Sequence, residues 1–244
     1  MIAGVSPDYY IRLERGNFAG VSDSVLEAIS RALQLDEAER SHLYDLARAA
    51  NANPRTRRRP ARQVRPGTRH LLDAMTDAPA FVRNGRLDIL AANRLARALY
   101  SAAFDQPGRP VNLARFCFLD PAAERLYPQW DKSADTTVAL LRTEAGRDPY
   151  DKDLSDLVGE LATRSDEFRT RWGAHNVRLH QSGIKTFHHP AVGHLELHFE
   201  AMPMPADPGL TLTAYSAEPG TPAADALRLL ASWAATTTRD GIDV

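Results

Sequence analysis

Pro79-Ala80-Phe81-Val82-Arg83-Asn84-Gly85-Arg86-Leu87-Asp88-Ile89-Leu90, continued by Ala91-Ala92-Asn93-Arg94-Leu95-Ala96-Arg97-Ala98-Leu99, is the stretch on which the fold of this 244-residue chain turns. Asn84-Gly85 is the residue pair that a two-residue type I′ turn favours, because both of its central positions require positive φ. Phe81-Val82 precede the pair and Leu87-Asp88-Ile89-Leu90 follow it, so the stretch predicts a β-hairpin. From Ala91 onwards the apolar period changes from two to about 3.6, which predicts a helix leaving the second strand without a long loop.

Composition bounds what can surround this unit. A length of 244 residues fits one or two domains, and 43% hydrophobic residues suffice for a packed core. The net charge of −1 is unevenly placed: residues 1–50 carry −3, residues 51–66 carry +6 and the remainder carries −4. Cys117, the single cysteine, has no partner for an internal disulfide and fits a reducing compartment. No apolar run approaches the roughly 18 to 20 residues of a membrane span and no signal peptide is visible, so the expectation is a cytoplasmic protein with no membrane partner.

Towards the N-terminus, Gly4-Val5-Ser6-Pro7-Asp8-Tyr9-Tyr10-Ile11-Arg12-Leu13-Glu14-Arg15-Gly16 reads as a short capped helix. Ser6 is a good N-cap, Pro7 tolerates the first turn, Asp8 favours the positive end of the dipole, and Gly16 closes the helix. Ser22-Asp23 opens a second helix carrying Val25, Leu26, Ile29 and Leu33, and Asp36 with Glu39 forms a capping-box pattern ahead of Leu43, Leu46 and Ala47. Between Asn51 and Pro66, three prolines and six arginines leave too little apolar material for a core. This stretch reads as a linker, either a solvated tether or one that also contacts phosphates.

Beyond the hairpin, helical periodicity runs through Leu126, Trp130, Ala134, Val138, Leu141 and Ala145, then Leu154, Leu157, Val158 and Leu161, then Phe168 and Trp172. Period-two alternation returns in 183–189, 193–200 and 210–215, giving three further strands, and a last helix is expected around 223–235.

Three resemblances follow from these residues. Gly4-Val5-Ser6 and the helix after it are similar to the turn and recognition helix of an XRE-type helix-turn-helix, and strand-turn-strand-helix resembles the opening of a PAS-type sensor domain. The segment from Asn112 to Tyr127 around Phe118-Leu119-Asp120-Pro121, Gly183 to Pro190, Gly193 to Leu197 and Tyr215 to Gly220 resembles the MmyB-like regulators. These join an XRE-type head to a PAS-like ligand-binding domain, and the likeness covers nearly the whole chain. The fold implied is α+β: an all-α head in 1–50, an Arg-rich linker in 51–66, and a PAS-like antiparallel-sheet domain with a helical insertion in 67–240. Only Met1-Ile2-Ala3 precede the turn, so the head is expected to be truncated, lacking its first helices.

The resemblance implies a transcription regulator acting on operator DNA, in a homodimer, with a long-chain fatty acid as the type of effector and no bound cofactor. Ser6, Asp8, Tyr9, Arg12 and Arg15 then face DNA, with Arg57, Arg58 and Arg59 on the backbone. Phe81, Leu90, Phe116, Phe118, Trp130, Leu141, Phe168, Trp172, Phe187 and Tyr215 are candidate walls for the effector, with Arg115 or His189 as polar anchor at the mouth. Filling the core is the competing role for each of the large apolar residues. The other functional reading is a stand-alone ligand-binding or dimerisation module without DNA affinity.

Enzyme readings find little. Six of the eight histidines fall between His175 and His198, but His194 and His198 alternate with Leu195, Leu197 and Phe199 and so belong to the solvent face of a strand. No His-Glu-x-x-His or paired-cysteine motif supports zinc, and no Gly-rich phosphate loop or nicotinamide fingerprint occurs.

Overall fold

The computed structural model describes residues 6–17, 20–51, 63–105, 110–174 and 182–240. Three helices come first: α1 (Pro7–Glu14), α2 (Asp23–Ala32) and α3 (Glu37–Asn51). Ser6 Oγ accepts from the Tyr9 amide at 3.2 Å, and Gly16 takes φ +80° just past the helix end. The capping box of α3 forms in both directions, Glu39 N–H to Asp36 Oδ1 at 2.8 Å and Asp36 N–H to Glu39 Oε2 at 2.9 Å. Leu13, Leu26, Ile29 and Ala47 are buried among these helices.

The remaining chain builds one antiparallel sheet of β1 (Ala80–Asn84), β2 (Ile89–Ala92), β3 (Ser182–His189), β4 (Gly193–Pro203) and β5 (Leu210–Ser216), ordered β2-β1-β5-β4-β3. Helices α5 (Arg94–Leu99), α6 (Ser101–Phe104), α7 (Leu113–Leu119), α8 (Ala122–Leu126), α9 (Trp130–Arg147), α10 (Lys152–Arg164) and α11 (Asp166–Gly173) lie between β2 and β3, and α12 (Pro222–Asp240) follows β5. The sheet is buried on both faces over β1 and β5. Phe81, Phe187, Leu195, Leu197 and Tyr215 point to the helical layer, while Ala80, Val82, Ala91 and Leu210 meet Leu72 of α4 (Pro66–Ala74) and Val64 on the other side. Val64 and Arg65, inside the expected linker, therefore belong to the sheet domain, and Arg65 Nε pairs with Asp207 at 2.8 Å. A separate core holds the helical insertion together, with Leu141, Leu161 and Phe168 fully buried.

Three local expectations are corrected. The hairpin is present, but Gly85 does not take positive φ; Leu87 does, at 67°. The Leu87 amide donates to Asn84 O at 3.1 Å, so the loop has three residues and ends in a left-handed position. That conformation costs a leucine about 1–2 kcal/mol, offset by burying its side chain, 2% exposed, in the insertion core. Gly85 is instead required by space, because a β-carbon there would run into the Glu144 carboxylate. Second, Ala91 and Ala92 remain in β2 and the helix starts at Arg94. Asn93 enforces the change: its Oδ1 accepts from the Ala96 and Ala80 amides, and its Nδ2 donates to Met75 O and Ala78 O. Third, the apolar stripe from Leu126 to Ala145 is two helices, interrupted at Tyr127-Pro128-Gln129 because proline at 128 disfavours helix at the residue before it.

Candidate ligand-binding site

Between the inner face of the sheet and the first half of α9 lies a cavity of about 290 Å³, at the small end of ligand pockets. Its floor is aromatic. The hydroxyls of Tyr100 and Tyr215 share a 2.7 Å hydrogen bond, and Tyr127 neighbours Tyr100. Burial pushes all three phenols up, Tyr215 to about 12, so they remain protonated. Phe81, Leu113, Leu140 and Phe199 add apolar wall, and Thr136 and Thr137 face it from α9.

Two cations enter this space from the sheet. Arg83 of β1 makes one long hydrogen bond, 3.4 Å to Asn84 O, and burial lowers its pKa. Glu144 is near enough to act on it electrostatically, but the two form no ion pair. Lys185 of β3 places its Nζ 4.2 Å from the centre of the Tyr127 ring and 5.6 Å from that of Phe187, and among the described residues no carboxylate pairs with it. Burial lowers its pKa to about 8. Thr213, on β5, is 5% exposed, lines the cavity, and its Oγ1 has no hydrogen-bond partner among the described residues. Buried polar groups in proteins are seldom left unpartnered, and here the unpaired Thr213 hydroxyl shares one cavity with two half-buried cations that no described carboxylate pairs with.

Of the walls expected from sequence, Phe81 and Tyr215 line this cavity. Phe116 and Phe187 are in the main core, packed on Tyr127. Trp130 packs against that core and donates its indole N–H to Cys117 O. Leu141 and Phe168 form the insertion core, which Phe118 and Trp172 pack against. Leu90 lies on the opposite side of the sheet. Neither expected anchor reaches the cavity. Arg115 is exposed and forks onto Glu160, both bonds at 2.8 Å. His189, 1% exposed, joins its Nε2 to Ala98 O at 3.0 Å and accepts the Ala191 amide on Nδ1. The accepting Nδ1 fixes the neutral Nε2–H tautomer, and burial lowers the ring's pKa, so this histidine ties β3 to α5 instead of meeting an anion.

The residues missed in sequence, Arg83, Lys185 and Thr213, carry a legible signal. Each is polar at a strand position whose neighbours two residues away, Phe81, Phe187 and Tyr215, face the core. Chemistry by Cys117 is disfavoured by its burial, which raises its pKa to about 11. His194 and His198 are exposed on β4 beside Glu196 and Glu200, and among the described residues no three metal-ligating side chains converge.

The cavity is linked to the N-terminal helices by one element. Past its cavity-lining half, α9 presents Glu144 to the hairpin loop at Gly85, then Gly146 to the ring of His42, and Arg147 to Asp45 at 3.1 Å, both on α3. On α1, Asp8, Arg12 and Arg15 are exposed, Tyr9 is half-buried with the Arg12 guanidinium 5.9 Å from its ring centre, and Ser6 is engaged as the cap. Arg57, Arg58 and Arg59 lie outside the described residues. No described helix is long and apolar enough to cross a membrane.

A five-stranded antiparallel sheet in 2-1-5-4-3 order, with helices enclosing a cavity on one face, defines a PAS-like ligand-binding module. The family model of the MmyB-like transcription regulator ligand binding domain matches residues 64–230, and the chain belongs to that family. No curated protein matches it.

Proposed function

We propose that the chain is a one-component regulator that binds a lipophilic acid in this cavity and DNA through its N-terminal helices, acting by binding and not by catalysis. The observation that carries the reading is the cavity itself: apolar and aromatic walls with two cations, Arg83 and Lys185, that form no ion pair among the described residues. A long-chain fatty acid suits such a site, since each buried methylene contributes about 0.8 kcal/mol and a carboxylate answers a desolvated cation. Residues 1–50 act as a helix-turn-helix head of XRE type, 51–63 as a basic tether, and 64–240 as the sensor, in a cytoplasmic homodimer. Asp8, Tyr9, Arg12 and Arg15 read bases, with Ser6 capping their helix and Arg57, Arg58 and Arg59 holding phosphates.

Coupling between the sites runs through α9, whose one end borders the ligand and whose other end docks on α3. A ligand shifts DNA binding only by its difference in affinity for the two arrangements of the head. Organic extraction and mass spectrometry of the purified full chain test the reading. A released lipophilic acid, together with a melting temperature that rises on adding dodecanoic or hexadecanoic acid, is the expected result. No released lipid and an unmoved melting temperature across the fatty-acid series contradict it.

A further inference from the structure

Arg83 and Lys185 stand at opposite corners of the inner face. Arg83 is in register with Thr211 of β5 and, through it, with Pro203 of β4; Lys185 is in register with Leu197, on the same strand but six residues away. With about 3.4 Å per residue along a strand and about 4.8 Å between strands, their Cα atoms are roughly 25 Å apart. One carboxylate cannot bridge them, even with both side chains reaching inwards. Each cation occupies its own corner, Arg83 within electrostatic reach of Glu144 but not paired with it, and the space between holds the tyrosine strip and the apolar wall of Leu113 and Leu140.

The corners differ in chemistry. Arg83 offers a planar fork of donors, one of them used among the described residues, and Thr213, one strand over, adds a hydroxyl with no hydrogen-bond partner among them. Lys185 offers a point charge held against the Tyr127 ring face. The one carboxylate among the described residues lining the cavity, Asp135, is already paired with Arg171. A simple fatty acid therefore neutralises one corner and leaves the other cation desolvated and alone, an arrangement that removes much of the benefit of binding.

We propose that the cavity selects an elongated apolar molecule bearing an acidic group at each end, in class an α,ω-dicarboxylic acid, one carboxylate on Arg83 and Thr213 and the other on Lys185. This rests on the reading of the cavity as a lipophilic-acid site and narrows it. The test is calorimetric titration of the full chain with diacids from decanedioic to hexadecanedioic acid, against the monoacids of equal length, repeated with Arg83→Met and Lys185→Met. The best diacid is expected to bind about tenfold or more tighter than its monoacid, and each single variant is expected to bring the diacid down to monoacid strength. Both variants remove a desolvated cation, so melting temperatures no lower than wild type verify that they fold. Monoacids that bind as tightly as every diacid, or a diacid indifferent to either variant, overturn the two-ended site while leaving the lipophilic-acid reading standing. If no acid of either series binds, both fall.

Discussion

On the outward side of β1, Asn84 donates to Asp88 Oδ2 at 2.8 Å, accepts the Asp88 amide at 3.0 Å, and Asp88 in turn accepts from Asn112 at 2.8 Å. One residue earlier, on the inward side, Arg83 has a single long bond, and Lys185 and Thr213 share its cavity without partners for charge or hydroxyl among the described residues. The two sites, one buried and the other with half-buried cations beside the buried Thr213, treat polar groups in opposite ways. Where every donor and acceptor is answered, the groups hold the fold: Asn112 also accepts the Ala114 and Arg115 amides as the cap of α7, and Arg86 of the same loop reaches Asp88 and Asp151. Where they are unanswered, the proposed partner is a molecule from outside.

The largest expected effect lies on the outward side. Asn112→Ala removes a helix cap, worth about 1 kcal/mol, and orphans the buried Asp88 Oδ1 at about 1–3 kcal/mol, so chemical denaturation is expected to show a loss of about 3 kcal/mol. A loss below about 1 kcal/mol shows that the network is not structural and breaks the comparison. Next is Gly85→Ala, which overpacks the hairpin loop against Glu144 and is expected to cost about 1–3 kcal/mol. Combining it with Glu144→Ala is expected to recover most of that cost, and a strictly additive double mutant locates the strain elsewhere.

A smaller effect, of opposite sign, belongs to Lys185. Its folded pKa of about 8 lies below the ordinary 10.5, so between those values the unfolded chain holds a proton that the folded chain has released. Stability therefore rises with pH across that window, and the cost of burying the charge is present in full below it. Denaturation midpoints of wild type are expected to gain on those of Lys185→Met as pH rises from about 8 to 10.5. Parallel curves indicate a solvated ammonium. With an anionic ligand bound the slope reverses: affinity is level below about pH 8 and declines above it, as the amine loses its charge.

Sequence made the sheet legible because alternation is a direct image of burial: Leu195, Leu197 and Tyr215 are buried as their period-two pattern requires, and His194 and His198 are exposed. The capping residues Ser6 and Asp36 were equally readable, since each satisfies amides within its own helix. Contacts between distant segments were not readable. The Asn84-Gly85 pair reads as a φ-driven turn, yet its glycine answers to Glu144, some sixty residues later. The cavity was misplaced for a related reason. Size and apolarity pick out residues such as Phe168 and Leu141, which fill cores, whereas a ligand site is marked by polar residues at apolar positions, such as Arg83 and Lys185.

The central claim is that the unanswered groups on the inner face are ligand contacts, and the split between stability and binding tests it most directly. Melting temperatures of wild type, Thr213→Val and Lys185→Met are compared without ligand and with saturating dodecanoic or dodecanedioic acid. The account predicts that unligated Thr213→Val and Lys185→Met melt at or above the wild-type temperature, because the first loses a buried hydroxyl without a hydrogen bond and the second a cation that desolvation disfavours, while the rise produced by dodecanedioic acid shrinks in both. Variants that lose stability without ligand, as Asn112→Ala does, yet keep the full ligand-induced rise contradict it.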